Sequence, residues 1–157
     1  MAATLKIIPF FVPDSSLRQI ENLLSGLPAF GFHPLNTADV ALIQTRIPGQ
    51  ADRLFTATEQ VTADRLAVLG CNLVASPVCE HDRQAVAELI TSSIADGADI
   101  VLVCGGSAII DRQDELPQAV IAARGNVNQL GLAVDPGNLL MFAKIGNVPV
   151  IGMPGCA

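Results

Sequence analysis

Residues Asp99 to Pro117 read DIVLVCGGSAIIDRQDELP. The apolar run from Ile100 to Cys104 has the length of a strand buried on both faces, and such strands belong to parallel sheets covered by helices. The run breaks at Gly105-Gly106-Ser107 and then meets Asp111, Asp114 and Glu115 before Pro117. Glycines at a strand end let backbone N–H groups approach an anion with no Cβ in the way, and a serine adds a hydroxyl donor. Ligands of open α/β sheets bind outside the carboxyl ends of the strands, where this break falls. A tight turn without a ligand would use the same two glycines, since Gly-Gly is far short of a full phosphate fingerprint.

The flanking pattern repeats this strand-then-helix grammar. VALIQT (residues 40–45) and NLVASPV (residues 72–78) read as strands. A helix is expected within Leu54–Leu69, with Leu54, Ala57, Val61 and Val68 on one face and Gly70 as its stop. Val86, Leu89, Ile90 and Ile94 mark a second helix closed by Gly97. Short apolar strands joined by amphipathic helices predict an α/β domain, a three-layer α/β/α sandwich around a mostly parallel sheet. The first residues add an appendage: LKIIPFFV as a strand, then a helix after Pro13-Asp14 carrying Leu17, Ile20, Leu24 and Leu27. The Gly- and Pro-punctuated GFHPLNT links it to the rest, so residues 1–38 form the appendage and residues 39–157 the domain. The last strand motif ends at Ala157 without a following helix, so the domain is expected to continue in a longer chain.

Composition narrows the ligand. Half of the 157 residues are hydrophobic, with no Trp or Tyr and six Phe, so the core is aliphatic. A net charge of −6 and scattered basic residues argue against nucleic acid, which needs clustered Lys and Arg. No apolar run reaches the roughly 20 residues of a spanning helix and no signal-peptide pattern opens the chain, so the reading is a soluble, cytoplasmic protein without a membrane partner. Cys71, Cys79, Cys104 and Cys156 show no C-x-x-C spacing and read as reduced thiols. Cys79-Glu80-His81-Asp82 is the one ligand-like cluster, but sequence neighbours rarely aim at one ion, and Asp82 stands where a helix N-cap belongs.

The acidic residues after the glycines divide. Asp114, with Glu115 and Pro117 following, fits the cap and charge complement of a helix. Asp111 comes too early to cap, so it is the candidate site carboxylate, for proton handling or for Mg²⁺; pairing with Arg112 is the alternative. Downstream, Pro136-Gly137 fits a type II turn with Asn138 offering an amide, and Pro154-Gly155 closes the last strand in the same way. The strand ends at QTRIPG, GGSAIIDRQD and IGMPGCA are expected to share one rim.

Taken together, GGSAIID, DPGNLLMFAKIGNVPV and IGMPGCA resemble, in order, the motifs of the molybdopterin-binding domain in molybdenum-cofactor biosynthesis proteins of the MoeA and MogA type. The resemblance covers Asp99 to Ala157 and implies that fold, with molybdopterin or its nucleotide form as ligand. It implies that Gly105, Gly106 and Ser107 hold a phosphate, that Asp111 or Asp114 serves metal-assisted chemistry, with Asp111 the candidate for Mg²⁺, and that Thr45, Pro136, Gly137, Asn138, Pro154 and Gly155 complete the ligand site. DELP matches the family's D-x-T-P aspartate at Asp114, and Asp111 the acidic residue of the longer MoeA-like loop. Four departures stand out: Ala108 replaces Gly or Ser, Asn138 replaces a lysine, Cys156-Ala157 replaces Asn-Pro, and no acidic pair follows Thr45. Loss of the lysine favours binding over transfer chemistry. KIIPF, PGNLL and PGCA are similar to a divergent branch that accompanies a MobA-like nucleotidyltransferase domain and serves molybdenum hydroxylases. Two further readings follow from the same superfamily: a CinA-like metal-dependent nucleotide pyrophosphatase, and a non-catalytic scaffold in a homo-oligomer.

Overall fold

The computed structural model describes residues 13–26, 34–132 and 137–153. The proposed first strand, Pro136, Pro154 and Gly155 lie outside these residues. The one described element of the appendage is α1 (Asp14–Leu24), an amphipathic helix with no buried residue. Among the described residues, no helix is long and apolar enough to cross a membrane.

Strand β1 (Asp39–Arg46) is the axis of the domain: Val40 through Thr45 are all buried. Helix α2 (Asp52–Val68) follows, then β2 (Asn72–Ala75) and β3 (Val78–Glu80), α3 (Arg83–Ala95), β4 (Ile100–Cys104) and α4 (Glu115–Ala122). The chain closes with β5 (Asn126–Leu130), β6 (Met141–Ile145) and β7 (Val148–Met153). These make a seven-stranded sheet of order β2-β1-β4-β7-β6-β5, with β3 also paired to β1. The β1 pairings with β2, β3 and β4 and the β4–β7 pairing are parallel, while β5–β6 and β6–β7 are antiparallel. The sheet is thus mostly parallel, as the apolar strand pattern predicts.

NLVASPV, expected as one strand, is two. Proline has no N–H to give to a ladder, so the chain breaks at Ser76-Pro77, and Pro77 instead accepts a bond from Gln44 N at 2.9 Å. The register of β2 on β1 also slips between Val40 and Ala41. Helix stops fall where glycine predicts them: Gly70 (φ +75°) after α2 and Gly97 (φ +101°) after α3. In the two-residue β6–β7 loop, Gly146 supplies the positive φ that tight hairpin turns require.

Alternation along the strands sorts the layers. Ala41, Ile43, Val101, Val103, Met141, Ala143 and Val150 join Val86, Ala87 and Ile90 of α3 and Leu116, Ala119 and Val120 of α4 in one aliphatic core. On the opposite face Gln44 reaches the backbone of α2 at Phe55 O, at 3.1 Å. The result is three layers, α/β/α. Close packing continues at the α4–β5 turn, where a Cβ on Gly125 would sit 2.7 Å from Val120 Cγ1 and 2.8 Å from the carbonyl of Lys144. Backbone cannot yield as a flexible side chain can, so Gly125→Ala is expected to lower unfolding stability by about 1–3 kcal/mol, read as a shifted urea midpoint at unchanged slope.

Candidate functional site

Parallel pairing brings three strand ends to one rim: Gln44 lies beside Cys104, and Cys104 beside Met153. Met141, the first residue of β6, pairs with Gly152 at the same end of the sheet. The Gly137–Leu140 turn, closed by Leu140 N to Gly137 O at 3.0 Å, therefore stands on this rim too. Asn138 is exposed there, three strand spacings or about 14 Å from β1.

Direct contact joins a smaller set. Thr45, only 2% exposed, accepts a bond on Oγ1 from Gly106 N at 2.7 Å. The same Oγ1 lies 2.7 Å from His81 Nδ1. On the other side of the imidazole, Nε2 lies 3.0 Å from Ser107 Oγ. One histidine thus ties the end of β1 to the glycine loop after β4. Its placement follows from β3, which pairs alongside the end of β1, and from the bond of His81 N to Arg46 O at 2.9 Å. Asp82 then caps α3, accepting from Gln84 N and Ala85 N at 2.9 and 3.0 Å.

The two glycines are needed for packing as well as for any ligand. A Cβ on Gly106 would lie 2.8 Å from Ile47 Cγ2 and 3.1 Å from Thr45 O; one on Gly105 would lie 2.8 Å from Ser107 O. With Gly106 N engaged by Thr45, Ser107 is the exposed polar side chain of the triplet. The loop beyond is anchored by Ile109, 2% exposed, which sits over Gly152, where an added Cβ would meet Ile109 Cδ1 at 2.7 Å.

Asp114 holds the N-cap position of α4 but makes no side-chain bond to that helix. Its Oδ2 turns back to accept from Ile110 N at 2.6 Å and Asp111 N at 3.0 Å. This corrects the expectation of a helix cap: the carboxylate staples the loop. Those two backbone donors, with His81 nearby, hold the Asp114 carboxyl below its usual range. Asp111 accepts from Gln113 N at 2.6 Å and closes a local turn. Arg112 donates to Val127 O at 3.4 Å, and no Arg112–Asp111 ion pair forms among the described residues. Glu115 reaches away to Arg83 N at 2.9 Å and links α4 to α3.

A cleft of about 230 Å³ opens between α2 and the rim, lined by Gln44, Thr45, Gln50, Phe55, Cys104 and Gly105 among others. Arg46, the last residue of β1, is bonded to Asp52 Oδ1 at 2.7 Å and lies 4.5 Å above the Phe55 ring. Among the described residues no three His, Cys, Asp or Glu side chains are arranged to hold a metal. Magnesium is often held by one or two carboxylates and the substrate's own phosphates, which is the arrangement open to Asp111. Burial pushes the Cys79 thiol up to about 11, helped by Glu80 and Asp82, and raises Cys104, so neither is an activated nucleophile.

His81 is the residue that motif reading passes over. Its signal was present, since CEHD ends a strand and precedes a cap, but nothing in the sequence reports that β3 lies beside the end of β1.

No protein-family model matches the sequence, and no curated protein matches it. Solved structures do. The molybdopterin biosynthesis MoeA protein from Pyrococcus horikosii is 25% identical, with a TM-score of 0.57 over 76% of this chain and 30% of that one. This chain therefore spans less than a third of that protein's length. Molybdenum cofactor biosynthesis protein B gives a TM-score of 0.59 at 16% identity, over 78% of this chain and 83% of that one. The protein CinA from Thermoplasma acidophilum, of unknown function, gives 0.53 at 10% identity, over 74% and 88%. The fold is the molybdopterin-binding fold, and the structural neighbours include molybdenum-cofactor biosynthesis proteins.

The Asp114 staple has a testable acid dependence. A lowered native pKa stabilises the fold fully above the unfolded value of 3.8, and the contribution fades as pH falls through the native pKa. Wild type is expected to melt above Asp114→Asn near neutral pH, with the gap closing below about pH 4. A gap constant with pH contradicts the ionised staple.

Proposed function

We propose that this chain is a molybdopterin-binding domain that acts in the biosynthesis or handling of the molybdenum cofactor. It holds the phosphate of the pterin, or of its nucleotide form, at the Gly105-Gly106-Ser107 loop. The observation that carries the reading is the bridge of Thr45, Gly106, His81 and Ser107 across three neighbouring strand ends, those of β1, β3 and β4, on the rim where such sheets take ligands. The ordered motifs from Asp99 to Ala157 and the 25% identity to the MoeA protein support the choice of ligand. The cleft beside Thr45 and Gly105 supplies a wall of Gln44, Gln50 and Phe55 that suits a flat heterocycle with hydrogen-bonding edges.

Within that reading Thr45 is a positioning residue, Ser107 a donor to the anion, and Gly137 and Asn138 the far wall; Pro136, Pro154 and Gly155, outside the described residues, are proposed as further ligand contacts. Asp111 is the candidate carboxylate for Mg²⁺, and Asp114 orders the loop that carries it. With Asn138 in the place of the family lysine, binding is proposed and transfer is not. The natural setting is a homo-oligomer, or a longer assembly with a MobA-like domain that delivers cofactor to molybdenum hydroxylases.

A second reading, implied by the CinA-like resemblance of the sequence, rests on Asp114 and Asp111 standing in one loop: Mg²⁺-dependent cleavage of a dinucleotide pyrophosphate. Magnesium would supply a Lewis acid and a template for the phosphates. Failure of both readings leaves a scaffold, for which mass in solution would show a defined oligomer.

The test is oxidative release of bound pterin, read by fluorescence, from protein isolated out of cells that make molybdenum cofactor. Ser107→Ala is the control, because it removes the exposed donor without the backbone collision that any side chain at Gly105 would cause. Wild type is expected to carry pterin and Ser107→Ala about tenfold less, the effect of one hydrogen bond to a charged acceptor. Equal fluorescence from both removes the proposed role of Ser107. No pterin in either, with Mg²⁺-dependent dinucleotide cleavage that Asp111→Asn abolishes, transfers the function to the second reading.

A further inference from the structure

We infer that His81 is a positioning residue that fixes the Ser107 hydroxyl as a hydrogen-bond donor to the ligand, and that the Ser107–His81 pair is not a nucleophile and its base. The inference rests on the proposed anion site for its ligand, but its core is a count of protons.

Thr45 is buried, and its Oγ1 already accepts from Gly106 N at 2.7 Å. Its own hydroxyl hydrogen therefore needs an acceptor, since an unmet buried donor costs about 1–3 kcal/mol. Among the described residues the hydrogen-bonding partner left for that hydrogen is His81 Nδ1, at 2.7 Å. Nδ1 is then the bare, accepting nitrogen, and a neutral imidazole must carry its hydrogen on Nε2. Nε2–H donates to Ser107 Oγ at 3.0 Å. The relay runs in one direction: Gly106 N–H to Thr45, Thr45 O–H to His81, His81 N–H to Ser107. Ser107 accepts at its inner side, so its hydrogen points outward from an exposed residue. Each bond in such a chain polarises the next and strengthens the terminal donor.

The opposite tautomer would make a general base of His81. With Nδ1–H donating to Thr45 Oγ1, both lone pairs of that oxygen are taken and the Thr45 hydrogen is stranded in the interior without an acceptor. A nucleophile–base pair needs its third group to accept from the base, and Thr45 is committed as a donor. The site consequently selects a ligand group rich in acceptors, a phosphate monoester oxygen being the chemical class, and it binds without activating serine.

Imidazole ¹⁵N NMR of the labelled full chain near pH 8 reads the tautomer directly, with His81→Leu distinguishing His81 from the second histidine, His33. The expected result is a bare Nδ1 and a protonated Nε2 in wild type, with Thr45→Val collapsing that preference. An Nδ1–H tautomer, or one indifferent to Thr45→Val, overturns the inference. Titration with inorganic phosphate, followed at the Ser107 amide, supplies the functional arm. His81→Leu should weaken phosphate about tenfold, while His81→Gln, which keeps one acceptor and one donor, stays within about threefold of wild type. Phosphate binding in His81→Leu equal to wild type also overturns the positioning role. The Nε2–H tautomer in a wild type that does not respond to phosphate refutes the anion ligand while upholding the relay.

Discussion

Burial of β1 on both faces is the constraint from which the rest follows. A strand with Val40 to Thr45 all inside the protein must satisfy every polar group it carries from within. Gln44 and Thr45 are the two polar residues at its buried end. Gln44 meets its need by gripping Phe55 O of α2 and Ser76 of the β2–β3 connection, both at 3.1 Å. Thr45 meets its own by accepting from Gly106 and engaging His81. Satisfying β1 therefore binds α2, the β3 end and the glycine loop to one another, so core packing and site geometry are one problem.

The loop after β4 is tied to the domain by the chain's own contacts. Ile109 plugs it into the core above Gly152, and Asp114 ties down two of its backbone N–H groups. A loop already fixed loses little conformational entropy on binding, which suits a site that recognises a charged group. The staple also explains why an acidic residue stands so close to a proposed anion site: the Asp114 carboxylate is engaged by backbone donors. The cleft between α2 and the rim is lined by Gln44, Gln50, Phe55 and Thr58 among others, and Arg46 pairs with Asp52 at 2.7 Å.

The architecture was readable because each of its signals is local. Ile100–Cys104 and Val40–Thr45 announce doubly buried strands by their unbroken apolarity, and Gly70 and Gly97 announce helix ends because few other residues accept their positive φ. Where a local rule met a long-range partner it failed. NLVASPV is apolar enough for one strand, but Pro77 breaks it against β1. Asp114 has the residue type and position of a cap, yet its carboxylate finds better-placed donors in the loop it closes. Arg112 has an acidic neighbour in sequence and bonds instead to Val127 O, across a turn of structure.

By itself the sequence determined the alternation of strands and helices, the aliphatic core and the rim on which chemistry could sit, because hydrophobic period and glycine conformation act over a few residues. The tertiary structure alone decided which polar side chains meet. His81 is separated from Thr45 by 36 residues and from Ser107 by 26. Only parallel pairing of β1 with both β3 and β4 closes those gaps to hydrogen-bond length, and a hydrogen bond, unlike hydrophobic burial, fixes its partner to within a few tenths of an ångström.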